Sequence, residues 1–264
     1  MSYPVEESNR LAVERQRRIL AILEREGVVR NTELAELLGV STVTVRSDLR
    51  ELAANGECEI IWGGAISLKP TRETEFHLER RSRLNPEAKQ RIGERAARLV
   101  EDGQTIIVDA GTTTIEAVRA LPHDFEYLRI VTPALNVATA AAYYPNYELV
   151  MTGGILRSLT WGLIGPQVLR ALEMFNAHWT FLASGGFDLE HGVTTSHILE
   201  VEVKRTMVAR AKRVALLADS SKFGKTLSLS VAPLHALHVL VTDTGLSEEH
   251  AAAIQALGVE VLRV

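Results

Sequence analysis

Seven short runs of β-branched and aliphatic residues, spread through the last two thirds of the chain, constrain the fold more than any other feature. They are Thr105–Val108, Tyr127–Val131, Tyr147–Met151, Trp179–Ala183, Val214–Ala218, Val239–Thr242 and Val259–Leu262. Each is a nearly continuous apolar run, which reads as a strand buried on both faces. Helical patterns alternate with most of them. That succession predicts an open, mainly parallel α/β sheet with helices on both sides, spanning residues 87–264. Such sheets bind ligands beyond the carboxyl ends of their strands, so the loops just after these runs are the places to look for chemistry.

Several of those strand ends carry small, polar or charged residues. The first leads into Asp109-Ala-Gly-Thr-Thr-Thr114 and then a helix from Ile115 to Leu121. Gly111 and the hydroxyls of Thr112, Thr113 and Thr114, with free N–H groups, form a cradle for a phosphate or other oxyanion, although the same residues also serve as ordinary helix capping. Thr132 follows the second run and is a further candidate for effector binding. The third is followed by Gly153-Gly154-Ile-Leu-Arg157, a bend and then a cation. The fourth leads into Ser184-Gly185-Gly186-Phe187-Asp188, and the fifth into Asp219-Ser-Ser-Lys222-Phe-Gly224. Lys222 sets an ammonium at a strand end, which suits an anionic ligand. Lys204 and Arg205 add two more cations, with a solvated helix face as the alternative reading.

The amino-terminal part has a different texture. Thr32 to Leu52 reads as two short helices joined by a tight turn. Leu34, Leu37 and Leu38 give the first an apolar stripe, Thr32 is its candidate cap, and Gly39 stops it. Ser41 caps the second, in which Val45, Leu49 and Leu52 fall on one side as core. Val43, Arg46, Ser47 and Arg50 point the other way, as a recognition helix would toward the major groove of double-stranded DNA. Ser41, Thr42 and Thr44 begin that helix, and Arg46 is the first candidate for base contact. Asn55-Gly56 ends it, and Glu57 to Trp62 followed by Gly63-Gly64 and Ala65 to Leu68 signals a hairpin, the wing of a winged helix-turn-helix with Trp62, Gly63 and Gly64 at its tip. A plain helical hairpin, or a protein-interaction module, remains the alternative.

Bulk charge counts against DNA binding, and only the placement of the cations answers it. The net formal charge is −4, and residues 1–69 hold nine Arg or Lys against eleven Asp or Glu. Phosphate contact depends on where cations sit, and Arg15, Arg17, Arg18, Arg46 and Arg50 can share a face. Modest, salt-sensitive affinity per protomer follows, so useful occupancy calls for a homodimer or homotetramer.

A helix from Arg10 to Glu26 packs Ile19, Ile22 and Leu23 under the recognition helix. Residues 1–9 read as a loose tail and Gly27-Val28-Val29 as a connector. The DNA-binding domain is thus placed at 10–68. Lys69 to Pro86 is charged, poor in apolar residues and bounded by prolines, the composition of a linker or of a segment that couples two domains. Cys58 is the sole cysteine, so no disulfide and no thiolate metal cluster is expected. His235 and His238 lack further ligands nearby, and no metal or cofactor is expected. With no apolar run of eighteen residues and no cationic-then-apolar leader, a cytoplasmic protein without membrane contact is expected.

Two sets of motifs resemble a known family. Ser41, Thr44, Val45, Arg46, Asp48 and Leu49, with Gly63, Gly64 and Ala65, match the helix and wing of DeoR-type bacterial transcriptional regulators. The pattern departs at Ser47, where a second arginine is usual, and at Trp62, where a histidine is usual. The order D-A-G-T-T-T, G-G-x-L-R, G-[IF]-D, K-R and A-D-S-S-K-F-G resembles the same family's effector domain. One loop departs, with Pro133 where asparagine is common. Glu73, Phe76 and Arg80 echo an E-x-x-F-x-x-R element of the family. The resemblance implies a regulator of carbohydrate genes, by family habit a repressor relieved by a phosphorylated sugar. Asp109 and Asp188 would accept from sugar hydroxyls, and Gly111 to Thr114, Arg157, Lys204 and Lys222 would hold the phosphate.

The effector domain type is also similar to ribose-5-phosphate isomerases. Such enzymes need carboxylates poised beside a carbonyl. Here the Ser184–Asp188 loop keeps one acid where the isomerase pattern has two, and Asp219-Ser220-Ser221-Lys222 has serine where the isomerase stretch has a glutamate. A sensor without catalysis is expected, and the alternative is an active sugar-phosphate isomerase with a DNA-binding appendage.

Overall fold

The residues between the two short helices explain why the chain turns where it does. The computed structural model describes residues 5–26, 28–61, 63–67, 78 and 81–264, in two compact units, Met1–Glu79 and Arg80–Val264. The first unit has α1 (Val5–Glu26), α2 (Asn31–Leu38) and α3 (Thr42–Ala54), with β1 (Val28–Arg30), β2 (Cys58–Ile61) and β3 (Gly64–Ser67) in one antiparallel sheet ordered β1-β3-β2. Gly39 ends α2 in the left-handed region at φ 66°, and the Ser41 hydroxyl accepts from the Thr44 N–H at 3.1 Å to start α3.

Four readings change here. Helix α1 begins at Val5, so residues 5–9 are not a tail, and Val28–Val29 is a strand paired to the wing, which suits two β-branched residues. Thr32 makes no cap, because α2 already begins at Asn31. Leu37 is exposed while Leu34 is buried. The core is otherwise as the pattern requires: Ile19, Ile22, Leu23, Val45, Leu49 and Leu52 cluster with Val29 and Ala65. Each such aliphatic side chain stabilises by about 1.5–3 kcal/mol on burial. Gly64 is required by close approach, since a Cβ there would sit 1.8 Å from the Val29 carbonyl oxygen.

In the second unit the seven apolar runs become seven strands of one parallel sheet. They are β4 (Thr105–Val108), β5 (Leu128–Thr132), β6 (Tyr147–Met151), β9 (Ala177–Leu182), β12 (Ala211–Leu217), β14 (Val239–Thr242) and β15 (Glu260–Arg263), ordered β15-β14-β12-β9-β4-β5-β6. The helices are α4 (Pro86–Ala97), α5 (Thr114–Arg119), α6 (Leu135–Ala141), α7 (Pro166–Glu173), α8 (Ile198–Ala209) and α9 (Glu248–Gln255). Small antiparallel pieces lie outside the parallel sheet: β7 (Ile155–Arg157) with β8 (Gly162–Ile164), and β10 (Gly186–Asp188) with β11 (Gly192–Thr195) and β13 (Leu229–Ala232).

Inner strands β4 and β14 are buried throughout, whereas the edge strands β6 and β15 are only partly covered, because among the described residues no strand pairs with their outer sides. His178 and His238 each accept, through Nδ1 at 3.1 Å, a backbone N–H of the neighbouring strand, Thr105 and Val214 respectively. The chain winds outward from β4 through β5 and β6, then returns to β9 on the other side. Strand order therefore reverses between β4 and β9, the position where open α/β sheets form a crevice. Among the described residues no helix is long and apolar enough to cross a membrane.

Candidate functional site

A cleft opens at that reversal point. It is lined by the loop after β4 (Gly111, Thr112, Thr113), the ends of β9 and β12 with the loops that follow them (Ala183, Ser184, Ala218, Asp219, Ser221, Lys222, Lys225), and Arg81, Leu84, Asn85 and Lys89. Three of the sequence-predicted loops thus converge: D-A-G-T-T-T, S-G-G-F-D and D-S-S-K.

The threonine loop is held from within. Thr114 is fully buried, and its hydroxyl donates to the Asp109 and Gly111 carbonyls, so it builds the loop and does not face the cleft. Asn136 donates to the Gly111 carbonyl at 3.1 Å from behind. Thr112 and Thr113 line the opening.

Opposite them stand the cations. Lys222 is the last residue of a single 3₁₀ turn, Ser220–Lys222, anchored where Asp243 accepts from the Ser220 N–H and hydroxyl. Burial, and then repulsion from Arg81, lower the Lys222 pKa below its ordinary value. Burial likewise lowers Arg81, with Glu200 and Asp109 partly offsetting it. Among the described residues, no carboxylate lies within ion-pair distance of the Arg81 guanidinium or the Lys222 ammonium. The one carboxylate lining the cleft, Asp219, accepts from the Asn85 amide at 3.0 Å and from the Ser221 hydroxyl.

The other predicted site residues lie elsewhere. Lys204 is buried and donates to Asp109 and, at 2.9 Å, to the Ala183 carbonyl; Asp109 also accepts from the Ala183 N–H at 2.9 Å. That pair ties α8 to the ends of β4 and β9. Arg157 pairs with Glu200 at 3.0 Å, and Thr160 and Thr195 donate to the same carboxylate. Burial alone would raise the Glu200 carboxyl, but Lys204 and Arg157 outweigh it and hold it below the usual carboxylate range.

Asp188 closes a turn by accepting from the Glu190 and His191 N–H groups and the Thr226 hydroxyl. The Thr132 hydroxyl donates to the Val108 carbonyl, and Gly153 and Gly154 turn β6 into β7. Gly185 and Gly186 sit against the 225–227 loop, where a Cβ on Gly186 would meet the Lys225 carbonyl oxygen at 2.1 Å. Arg81, Asn85, Lys89, Lys225 and Glu200 escaped the sequence reading. The first three lie in or beside a charged stretch, and the only hint was the neighbouring arginine element.

In the first unit, Val43 is 72% exposed, and Arg46, Ser47 and Arg50 are exposed beside it. Arg46 and Arg50 border a groove also lined by Asn31 at the start of α2 and by Ile60, Gly63 and Gly64 of the wing. Ser41, Thr42 and Thr44 sit at the start of the same helix. Trp62 lies outside the described residues, as do Glu73, Phe76 and Arg80.

Residues 84–244 match the family model for the DeoR C terminal sensor domain, and residues 15–71 match that for the DeoR-like helix-turn-helix domain. The chain belongs to the DeoR family. A HTH-type transcriptional regulator of Bacillus subtilis, YulB, is 33% identical over 254 residues, covering 96% of this chain and 97% of that one. The glycerol-3-phosphate regulon repressor of Escherichia coli is 31% identical over 230 residues, covering 87% and 90%. DeoR-family membership therefore extends over both units, and with it transcription regulation through DNA binding. Ribose 5-phosphate isomerase A of Methanocaldococcus jannaschii aligns at TM-score 0.40 and 16% identity over 53% of this chain and 55% of that one, a likeness too slight to bear on chemistry.

Proposed function

We propose that this DeoR-family regulator is a repressor of carbohydrate-metabolism genes that binds operator DNA as an oligomer and releases it when a phosphorylated sugar occupies the second unit. The observation that carries this is the cleft at the β4/β9 reversal, where Arg81, Lys89, Lys222 and Lys225 gather about the threonine loop and, among the described residues, Asp219 is the one carboxylate in the lining. A phosphate dianion supplies the missing charge, with Gly111, Thr112 and Thr113 donating to its oxygens. Lys204, Asp109, Arg157 and Glu200 form the paired frame behind the cleft. The name of the glycerol-3-phosphate regulon repressor is consistent with a phosphorylated effector.

Absence of catalysis is part of the same reading. Proton transfer next to a carbonyl needs carboxylates poised at the substrate; Asp188 serves a turn, and Asp219, which accepts from the Asn85 amide and the Ser221 hydroxyl on one oxygen, stands in the cleft without a second acid among the described residues.

On the DNA side, Arg46 reads bases, Arg50 and the Ser41–Thr44 helix start contact phosphates, and the wing lies along the backbone. Isothermal titration with pentose and hexose phosphates and their unphosphorylated parents tests the sensor. Binding of a phosphosugar but not of its parent supports it. Turnover of the bound sugar by NMR would establish the isomerase.

A further inference from the structure

The stretch just before α4 has the composition of a linker, yet its last residues are built into the cleft. Asn85 adopts a left-handed conformation at φ 50°, directly before Pro86, and its side chain does not cap α4 but reaches Asp219 at 3.0 Å. Asn is among the few residues other than glycine that tolerate this backbone. Behind it Lys89, only 4% exposed, donates its ammonium to the carbonyls of Arg81 and Leu84. A buried lysine spent on two carbonyls is costly unless it fixes something, and what it fixes is the turn presenting Arg81 to the cleft.

Arg81 and Lys222 come from distant parts of the unit's sequence and converge on one opening. Each lacks an ion-pair partner among the described residues, and their charges repel. An anion between them removes that repulsion and draws them together.

We infer that Arg81 is an effector ligand, closing on the phosphate opposite Lys222, and that the segment 81–85 is the element through which effector occupancy reaches the DNA-binding unit. This rests on the sensor reading above. Because the segment leads along the chain directly to residues 1–79, a ligand that fixes Arg81 fixes the start of the connection. The effector can shift the operator equilibrium only through such differential binding. Lys222 holds the phosphate without being part of that connection.

The test uses the full chain and, as probes, inorganic phosphate, D-ribose 5-phosphate, D-fructose 6-phosphate and glycerol 3-phosphate. Affinity is read by isothermal titration, and the segment by the rate of tryptic cleavage at the Arg83–Leu84 bond, followed by mass spectrometry. Arg81→Gln and Lys222→Gln are each expected to weaken the tightest-binding probe by about tenfold or more, since each removes a charge-assisted hydrogen bond. Arg81→Lys recovers part of the affinity.

At saturating probe, the wild type and Lys222→Gln slow cleavage at Arg83–Leu84, and Arg81→Gln does not. Unchanged affinity of Arg81→Gln, or full protection of its segment at saturation, overturns the inference while leaving the sensor intact. If no probe binds the wild type, the sensor reading falls and this inference with it. A urea midpoint unchanged from wild type shows that Arg81→Gln still folds.

Discussion

Arg15 of the first helix donates to both carboxylate oxygens of Asp48 on the recognition helix, at 2.5 and 3.0 Å. Asp48 is buried, so the family motif's aspartate serves to fix the angle of that helix and does not face DNA. It also takes Arg15 out of the set of free phosphate contacts. Asp48→Ala should therefore lower the stability of the first unit by about 1–3 kcal/mol, as expected for losing hydrogen bonds to a charged partner. Urea unfolding followed by circular dichroism checks this.

Arg46 behaves differently. It is exposed and, among the described residues, makes no side-chain hydrogen bond or ion pair that its removal would break, so Arg46→Ala should leave stability within about 0.5 kcal/mol of wild type. Operator affinity should fall by about 1–3 kcal/mol, with lost preference at one base pair. Competition binding with single-base operator variants reads both.

Lys204 and Asp109 form a buried pair whose members cannot be separated cheaply. Lys204→Met leaves the Asp109 carboxylate buried without its cation and should destabilise the second unit by about 3–5 kcal/mol. Lys222→Met should not destabilise it, because Lys222 has no such partner among the described residues. Parallel urea titrations distinguish a framework lysine from a ligand lysine.

Effector affinity should be bell-shaped in pH. Below about pH 6 a phosphate monoester loses its second charge and binding weakens. On the alkaline side, burial and repulsion from Arg81 put the Lys222 pKa below the ordinary lysine value, so its cation is lost earlier than usual. Linkage gives the opposite sign for the unliganded fold: deprotonation removes an unfavourable buried charge, so stability rises as pH passes through that lowered pKa. Titration calorimetry across pH, repeated with Lys222→Met, should lose the alkaline limb.

The sheet was legible because strands buried on both faces need continuous apolar runs, and seven such runs are in the chain. The edge positions of β6 and β15 were not, since pairing order does not follow from hydrophobicity. That Lys222 lies at a strand end was legible because it sits just after a run. The ion pairs of Arg157 and Lys204 were not, because their carboxylates, Glu200 and Asp109, lie 43 and 95 residues away in sequence. Arg81 was hidden for a different reason: a segment that folds onto a polar cleft carries the same charged, apolar-poor composition as a linker.

The most direct measurement is fluorescence anisotropy of labelled DNA from upstream of this protein's own operon, titrated with the full chain at fixed salt, with and without sugar phosphates and their parent sugars. The expected result is specific binding that one phosphosugar weakens and its unphosphorylated parent leaves unchanged. Operator binding that no phosphosugar alters, or that the parent sugar alters equally, would contradict it.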